Sequence, residues 1–425
     1  MKLKNILQEA VRDKVALEYL SNLVKKGPFR GRVYLAGGAP RDMQLGKDPK
    51  DLDVLVKGDA NAGIDFATWA TKEIGNYKEG SNPVVFPRFF TAKFTLDGVT
   101  YKGVDLSDVD IEAVAPRKEK YTPGSRKPEV TAGDLEDDVS RRDFTVNSLL
   151  HDLTTGEILD LTGKGRDDIK RGVVQTPLNP DVIFTDDPLR ILRAVRFAAK
   201  YSWKLPMFML RSIRKNASSL KDISRERVHD EVNKMLLTDQ PGKSMRLIKA
   251  LKLAPYVFPA IDRVTDAAIA NIGEKPKDIS QRLAALFQTL PNASQIAANE
   301  LRNTKYETNI IQSVVTILDN YKQLESMALD PASMREFIAK LGDSKAQQVI
   351  RFVAGDQPSE LRLLFDTQAK YLKENPLPIS GQDLIALGMK PGPKFKEILD
   401  LVKKVYLNDP KTPKDTYIQL IKQSV

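Results

Sequence analysis

The sequence predicts an α+β fold, with a small sheet domain near the N-terminus followed by an elongated all-helical region. Short apolar stretches that suit strands alternate with helical patterns from residue 31 to about residue 160. From Pro188 onward, apolar residues instead recur at helical spacing, with Pro or Gly between the segments. The 425 residues are enough for a large core and for two or more domains.

Composition excludes several classes of protein. The chain has no cysteine, which excludes disulfides and thiolate metal sites. No apolar run is long enough for a membrane span or a signal-peptide core, so we expect a cytoplasmic protein. The 66 Lys and Arg residues against 56 Asp and Glu give a net charge of +10, which suits RNA but is also common in soluble proteins.

The sheet domain can be divided into elements from its residue pattern. Residues 1–30 predict a helical lead-in that precedes it. The segment from Pro116 to Asp134 is rich in charge and turn formers, which predicts a flexible loop. We expect strands at residues 33–36, 51–56, 84–86, 89–96 and 109–114.

The most informative stretch joins a glycine pair to two carboxylates. Gly37 and Gly38 follow the first predicted strand and let the backbone approach a ligand, so their amides could cradle a triphosphate. Asp51 and Asp53 belong to the second predicted strand, where alternate side chains share a face. A D-x-D on a strand is more often a solvated edge, but with the glycine pair it predicts a magnesium site for nucleotidyl transfer.

A third carboxylate could come from the strand at residues 109–114. Asp110 and Glu112 share one face of that strand by the same alternation. Either could be the general base that reaches an RNA 3′-hydroxyl, and either could be an exposed strand charge. The residue pattern alone therefore leaves both as candidates.

Four blocks of sequence resemble known nucleotidyltransferases, in the expected order. G-G-A-P-R-D at residues 37–42 followed by D-L-D-V at residues 51–54 resembles the signature of the polymerase-beta-like nucleotidyltransferases. The other three blocks are similar to segments of class II tRNA nucleotidyltransferases and bacterial poly(A) polymerases. They are R-R-D-F-T-V-N at residues 141–147, D-D-P-L-R-I-L-R-A-V-R-F at residues 186–197, and I-S-R-E-R at residues 223–227.

This resemblance is strong over about residues 30–235 and implies a CCA-adding enzyme. Such an enzyme adds or repairs the 3′-terminal C-C-A of tRNA from CTP and ATP without a nucleic-acid template, using two Mg²⁺ ions. It implies that Asp51 and Asp53 hold the metals, and it favours Glu112 as the third carboxylate. A poly(A) polymerase, an A-adding or CC-adding specialist, and a catalytically idle RNA-binding protein are the alternatives. No obligatory protein partner is evident.

The resemblance also implies which residues hold the nucleotide. Arg142 contacts the nucleotide in the family, and Asp143 beside it could accept a hydrogen bond from a ribose hydroxyl. The helix that begins at Pro188 is expected to select the base through Asp187 and Arg190, although Asp187 could simply cap that helix. The predicted nucleotide-binding residues are Gly37, Gly38, Arg41, Arg142, Asp143, Asp187, Arg190, Arg193 and Arg196.

The C-terminal segment at residues 379–395 resembles the G-x-D-L-x-x-L-G-x-x-P-G-P segment in the tail of the same family. Its Gly- and Pro-rich turn between two predicted helices, with Lys390 and Lys394, indicates RNA binding, while a helical packing unit with solvated lysines is the alternative. We therefore predict a helical lead-in (1–30), a catalytic head (31–160), a nucleotide-selecting neck (161–240), a helical body (241–375) and an RNA-binding tail (376–425).

Overall fold

The structure is a computed structural model that describes residues 2–49, 51–120 and 129–424. It divides into two compact units. The first comprises Met1–Ser224 with Leu251–Tyr256, and the second comprises Arg225–Ala250 with Val257–Val425. The described residues of the first unit contain a mixed sheet and those of the second are helical, which confirms the predicted α+β class. The finer division into five regions stays a prediction.

Strands and helices alternate along the described residues of the first unit. Its strands are β1 (Val33–Leu35), β2 (Leu52–Val56), β3 (Val84–Phe86), β4 (Thr91–Thr95), β5 (Thr100–Tyr101), β6 (Val104–Asp105), β7 (Asp110–Val114), β8 (Arg117–Lys120), β9 (Glu129–Ala132), β10 (Leu150–Asp152) and β11 (Ile158–Leu159). Its helices are α1 (Lys2–Lys26), α2 (Ala39–Gln44), α3 (Ala62–Glu73), α4 (Leu135–Ser140), α5 (Gly165–Arg171), α6 (Pro180–Asp186), α7 (Leu189–Tyr201) and α8 (Met207–Asn216).

Seven of these strands form one sheet in the order β11-β10-β1-β2-β7-β4-β3. The pair β2 and β7 is parallel, and the other neighbours are antiparallel. One face of the sheet is buried beneath α3 and α1. There Val54, Ala113 and Phe94 belong to the core of the unit. The alternation of side chains along β2 and β7 therefore directs Asp53 and Glu112 to the opposite face.

That opposite face is covered at one end and open at the other. Leu135 and Val139 of α4 pack on Tyr34, Leu55 and Leu150, so helix α4 covers strands β1, β2 and β10. Strand β3 at the other edge exposes all three of its side chains. Because Asp53 and Glu112 lie between these two ends, a ligand can reach them from the open side.

Three sequence predictions for this region need correction. Strand β4 begins at Thr91 rather than Phe89, because Pro87–Phe89 form a 3-10 turn and Phe90 has a left-handed backbone with φ 58°. Asp51 precedes β2, and its φ of 57° departs from strand geometry. The predicted loop at residues 116–134 contains the antiparallel pair β8 and β9, while its residues 121–128 lie outside the described residues.

The described residues of the second unit form a series of helices. They are α9 (Arg225–Leu236), α10 (Pro241–Ala250), α11 (Asp266–Asn271), α12 (Ile279–Phe287), α13 (Ala293–Asn303), α14 (Thr308–Ser326), α15 (Pro331–Leu341), α16 (Asp343–Ala354), α17 (Glu360–Glu374), α18 (Gly381–Ala386), α19 (Pro393–Asn408) and α20 (Lys414–Ser424). The last three share a small core that includes Leu384, Val402 and Tyr417. Across the described ranges, no helix has the length and apolar character that a membrane crossing requires.

Candidate active site

The centre of the candidate site is a pair of carboxylates on adjacent parallel strands. Asp53 of β2 lies directly opposite Glu112 of β7, and both side chains are exposed at the open face. Their neighbours along each strand, Leu52 and Ile111, point into the core and fix this orientation. Asp51 lies just before β2, where its side chain is also exposed. The structure therefore brings Asp53 and Glu112 together, whereas Asp51 precedes the strand, and the catalytic role of all three stays a prediction.

The charge state of Asp53 reflects its crowded surroundings. Although part of the side chain is exposed, surrounding protein atoms remove solvent from the carboxylate, and this desolvation, followed by the negative charges of Glu112 and Asp51, raises the pKa of Asp53 to about 6, while Arg142 opposes the shift. In the described part of the chain no set of three or more His, Cys, Asp or Glu side chains is arranged to hold a metal ion. Asp51 and Asp53 carry the oxygen donors that a divalent cation prefers, and a cation there would also offset the part of this shift that comes from Glu112 and Asp51.

Gly37 and Gly38 place the backbone close to these carboxylates. Gly37 has a φ of 71°, a left-handed conformation that favours glycine, and a Cβ there would lie 3.5 Å from Asp53 Oδ2. The Ala36 amide donates to the Asp53 carbonyl at 2.8 Å, which fixes the end of β1 beside β2. Gly37 therefore adjoins the Asp53 carboxylate, and the role of Gly37 and Gly38 in nucleotide binding stays a prediction.

Arg142 is held beside the site by a buried carboxylate. Arg142 Nε and Nη2 donate to Asp138 Oδ2 at 3.1 and 2.9 Å, and Arg141 Nε donates to Asp138 Oδ1 at 3.1 Å. Burial alone would raise the pKa of Asp138, but Arg142 and Arg141 outweigh it and lower that pKa. A cavity of about 140 Å³ includes Arg142, Asp138, Asp53 and Glu112 in its lining.

Asp138 is a residue that the sequence analysis missed. The sequence does contain a pattern that points to this residue, because Asp138 precedes Arg141 and Arg142 by three and four residues. Those are the spacings at which side chains meet on a helix. It lies in α4, which begins with a capping box between Asp134 and Asp137.

Arg41 and Asp143 belong to one buried chain of hydrogen bonds. Arg41 Nη1 donates to Asn147 Oδ1 at 2.5 Å, and Asn147 Nδ2 donates to Asp143 Oδ1 at 2.8 Å. Arg193 Nε and Nη2 then donate to Asp143 Oδ2 at 2.9 and 2.6 Å. Both Arg41 and Asp143 are thus engaged with protein atoms, and their contact with a nucleotide stays a prediction.

The predicted base-selecting residues lie around the start of α7. The helix begins at Leu189 with Pro188 as its N-cap, one residue later than the sequence predicted. Asp187 Oδ1 nevertheless accepts a hydrogen bond from the Leu189 amide at 3.2 Å, so Asp187 does stabilise the helix start. Arg190 is buried, and its Nη1 lies 3.5 Å from the Ile183 carbonyl oxygen. The guanidinium of Arg196 lies 4.9 Å from the Phe197 ring centroid.

Lys390 and Lys394 lie in the second unit. Both side chains are exposed, Lys390 in the turn after α18 and Lys394 in the first turn of α19. The turn between the two helices includes Gly388 with a φ of 89°, a conformation that favours glycine. Their role in RNA binding stays a prediction.

The mixed sheet with its facing carboxylates, followed by helices, defines a nucleotidyltransferase-type head domain with helical extensions. The family model described as poly A polymerase head domain matches residues 33–175. Models described as "Probable RNA and SrmB- binding site of polymerase A" and as tRNA nucleotidyltransferase domain 2 match residues 209–265 and 274–410. Over these three ranges the chain therefore carries domains of the family of tRNA nucleotidyltransferases and poly(A) polymerases.

Individual relatives agree with this family. The chain is 32% identical over 271 residues to tRNA nucleotidyltransferase cca2 of Schizosaccharomyces pombe, covering 62% of this chain and 55% of the relative. It is 25% identical over 401 residues to the A-adding tRNA nucleotidyltransferase of Halalkalibacterium halodurans, covering 90% and 87% of the two chains. The chain spans about half the length of the first curated relatives it matches.

A solved structure shares the fold. The crystal structure of the Bacillus stearothermophilus CCA-adding enzyme in complex with CTP superposes with a TM-score of 0.68. The match covers 97% of both chains at 21% sequence identity. At this level of identity the likeness concerns the fold alone.

Proposed function

We propose that this protein is a magnesium-dependent tRNA nucleotidyltransferase that adds or repairs the 3′-terminal CCA of tRNA from CTP and ATP. The observation that carries the proposal is the position of Asp53 opposite Glu112, beside the backbone of Gly37 and in one cavity with Arg142. The Schizosaccharomyces pombe and Halalkalibacterium halodurans relatives, named as tRNA nucleotidyltransferases, support tRNA as the acceptor. A cytoplasmic location stays a prediction.

In the proposed reaction the RNA 3′-hydroxyl oxygen forms a bond to the α-phosphorus of the nucleoside triphosphate, and pyrophosphate leaves. Mg²⁺ held by Asp51 and Asp53 would supply charge stabilisation for the phosphate and lower the pKa of the hydroxyl. Glu112 would accept the hydroxyl proton, since it faces Asp53 across the ladder. Its exposed position on the open face of the sheet leaves room for an RNA end.

The nucleotide would lie between the carboxylates and α4. Backbone amides at Gly37 and Gly38 would cradle the triphosphate, as at other glycine-rich anion sites. Arg142 is held in place by Asp138, so its guanidinium would meet the nucleotide without first becoming ordered. Asp187 and Arg190 would read the base edge through hydrogen bonds.

A poly(A) polymerase is the second candidate function, because the model of a poly A polymerase head domain matches residues 33–175. A catalytically idle RNA-binding protein is disfavoured, since it would need neither the Asp53–Glu112 pair nor an ordered Arg142. The test is to incubate the protein with trimmed tRNA and each nucleoside triphosphate singly, and with CTP and ATP together, then to sequence the 3′ ends. Addition of C and then A supports the proposal, whereas long A tails or no extension would contradict it.

A further inference from the structure

Exposed aromatic side chains lie on the open part of the sheet near the catalytic carboxylates. Phe86 ends the edge strand β3, and Phe89 lies in the 3-10 turn that follows it. They are 45% and 46% exposed. We call these two residues the aromatic patch. A large apolar group on a surface costs solubility, so a pair of them beside an active site indicates a ligand.

The strand register connects the aromatic patch to the carboxylates. Glu112 lies opposite Asp53 on one side and opposite Lys93 on the other, and Lys93 lies opposite Val84. Phe86 is two residues beyond Val84 on β3, so it projects from the same face of the sheet. Strands β7 and β3 are about 10 Å apart, and Phe86 lies a further two residues, about 7 Å, along the strand direction, so the Cα atoms of Glu112 and Phe86 are about 12 Å apart. The patch is therefore about one nucleotide away from Glu112.

Two cavities meet at Glu112. The cavity of about 140 Å³ extends from Glu112 toward Asp53 and Arg142. A second cavity of about 380 Å³ extends from Glu112 in the other direction, toward Phe86 and Phe89. Arg117 lines both of them, so they are parts of one continuous surface.

We propose that the aromatic patch binds the base of the 3′-terminal nucleotide of the RNA, an inference that rests on the proposed function. In-line attack needs the RNA 3′-hydroxyl beside both the general base and the α-phosphorus, so the rest of the terminal nucleotide must extend away from the triphosphate. Gly37 and Arg142 occupy the side suited to the triphosphate. The nucleoside that carries the attacking hydroxyl then extends into the other cavity that Glu112 lines, where its base meets Phe86 and Phe89.

The chemistry of the patch fits an RNA end. Aromatic rings stack on any base, which suits an enzyme whose terminal base changes with each addition. Arg88, Lys93 and Arg117 surround the rings with positive charge suited to phosphates. Arg117 Nη1 donates to the Phe89 carbonyl at 2.7 Å, so it also holds the turn that carries Phe89. Lys93 pairs with Asp110 at 2.7 Å at an exposed position.

The test compares two acceptor-stem minihelix RNAs that differ only at the 3′ end. One ends in a normal cytidine and the other in an abasic ribose, and both are titrated by fluorescence anisotropy without nucleotide. Wild-type protein should prefer the normal end by about 5-fold to 100-fold, the range expected for one stacked base. The double variant Phe86→Leu/Phe89→Leu should lose that preference while it still binds the abasic RNA as wild type does.

Two further variants separate stacking from structure. Phe86→Trp should keep the preference, because indole stacks as well as phenyl. Phe208→Leu, which changes another exposed phenylalanine of the first unit, should also keep it. An unchanged preference in the double variant would overturn the inference. A weaker affinity of the double variant for ATP in the absence of RNA would also overturn the inference, because the patch would then bind the incoming nucleotide. Failure of wild type to bind either RNA would instead overturn the proposed function itself.

Discussion

Asp143 and Arg193, which are 50 residues apart in the chain, form an ion pair in which two guanidinium nitrogens donate to one carboxylate oxygen. The distances from Asp143 Oδ2 to Arg193 Nε and Nη2 are 2.9 and 2.6 Å. The other oxygen, Oδ1, accepts from Asn147 Nδ2 and from the Phe144 amide, both at 2.8 Å. This pair connects the R-R-D-F-T-V-N segment to helix α7, which carries the predicted base-selecting residues.

The first prediction is that Asp143→Asn destabilises the first unit. Removing one charge of a buried pair leaves the other charge uncompensated, which lowers the free energy of unfolding by about 3–5 kcal/mol. We expect a loss of about 3 kcal/mol here, because Arg193 is partly exposed. Tryptophan fluorescence during chemical denaturation reports this unit, because Trp69 and Trp203 both lie in it. Asp110→Asn, which removes the exposed partner of Lys93, should cost at most about 1 kcal/mol. Equal losses in both variants would contradict the prediction.

The same ion pair should give stability a distinct dependence on pH. Burial alone would raise the pKa of Asp143, but Arg193 and the hydrogen bonds from Asn147 and Arg193 lower it below its usual value. The stabilisation is therefore complete above the unfolded-state pKa, about 3.9, and is lost as pH falls through the lower folded-state pKa. The stability difference between wild type and Asp143→Asn should be equal at pH 7 and pH 5 and smaller at pH 3.

Much of the sheet was predictable because strand periodicity and glycine placement are local signals. Asp53 and Glu112 could be assigned to one face from alternation alone, and their direct opposition follows from the register of β2 and β7. The β8 and β9 pair was not predicted, because β8 has the wholly charged sequence RKEK and no side chain of β9 is fully buried. The two strands pair through backbone hydrogen bonds, and these bonds do not require buried apolar side chains that a sequence pattern would show.

The roles of Asp143 and Arg41 could not be predicted from local pattern. Both carry groups that suit nucleotide binding, and both form buried contacts with residues distant in sequence. Asn147 joins them, at 106 residues from Arg41 and four from Asp143. Only the folded chain brings these three side chains together. Asp138, by contrast, could have been recognised from its helical spacing to Arg142.

The second prediction concerns Asp53 and magnesium. Burial, Glu112 and Asp51 raise its pKa to about 6, so the folded form keeps a proton that the unfolded chain releases near pH 4. Stability should therefore decline as pH rises from about 4 to 6 and stay reduced above 6. At pH 8 without divalent ions, Asp53→Asn should melt at a higher temperature than wild type. Adding MgCl₂ should raise the Tm of wild type and of Asp110→Asn. An equal increase in Asp53→Asn would contradict a metal role for Asp53.

The third prediction separates base selection from helix capping at Asp187. Asp187→Ala removes the acceptor of the Leu189 amide and should cost about 0.5–2 kcal/mol of stability. It should also shift the relative incorporation of CTP, ATP, UTP and GTP by about tenfold to hundredfold. Asp187→Asn keeps a capping oxygen, so it should preserve stability and still alter the ratios. Unchanged ratios in both variants would leave capping as the sole role.

The fourth prediction concerns the exposed lysines of the second unit. Replacing Lys390 and Lys394 together by Ala should weaken tRNA binding and flatten its dependence on salt, because each lost phosphate contact lowers the logarithmic slope by about 0.9 or less. The matched control is Lys370→Ala with Lys373→Ala, two exposed lysines on α17. The measurement is the tRNA Kd between 50 and 200 mM salt, concentrations over which such contacts are strongly screened. Equal slopes in all three proteins would show that these lysines do not contact RNA.

The fifth prediction tests the carboxylate centre itself. The single-turnover rates of C and of A addition are measured on trimmed tRNA for Asp51→Asn, Asp53→Asn and Glu112→Gln, with Asp110→Asn as the control. Asp110 shares the face of Glu112 but is ion-paired to Lys93, so its variant should stay within about twofold of wild type. Asp51→Asn and Asp53→Asn should abolish both additions, and Glu112→Gln should slow both by about 10²-fold to 10⁴-fold. Normal addition of either nucleotide by Asp53→Asn would contradict a catalytic role for Asp53, whose carboxylate lies beside Gly37.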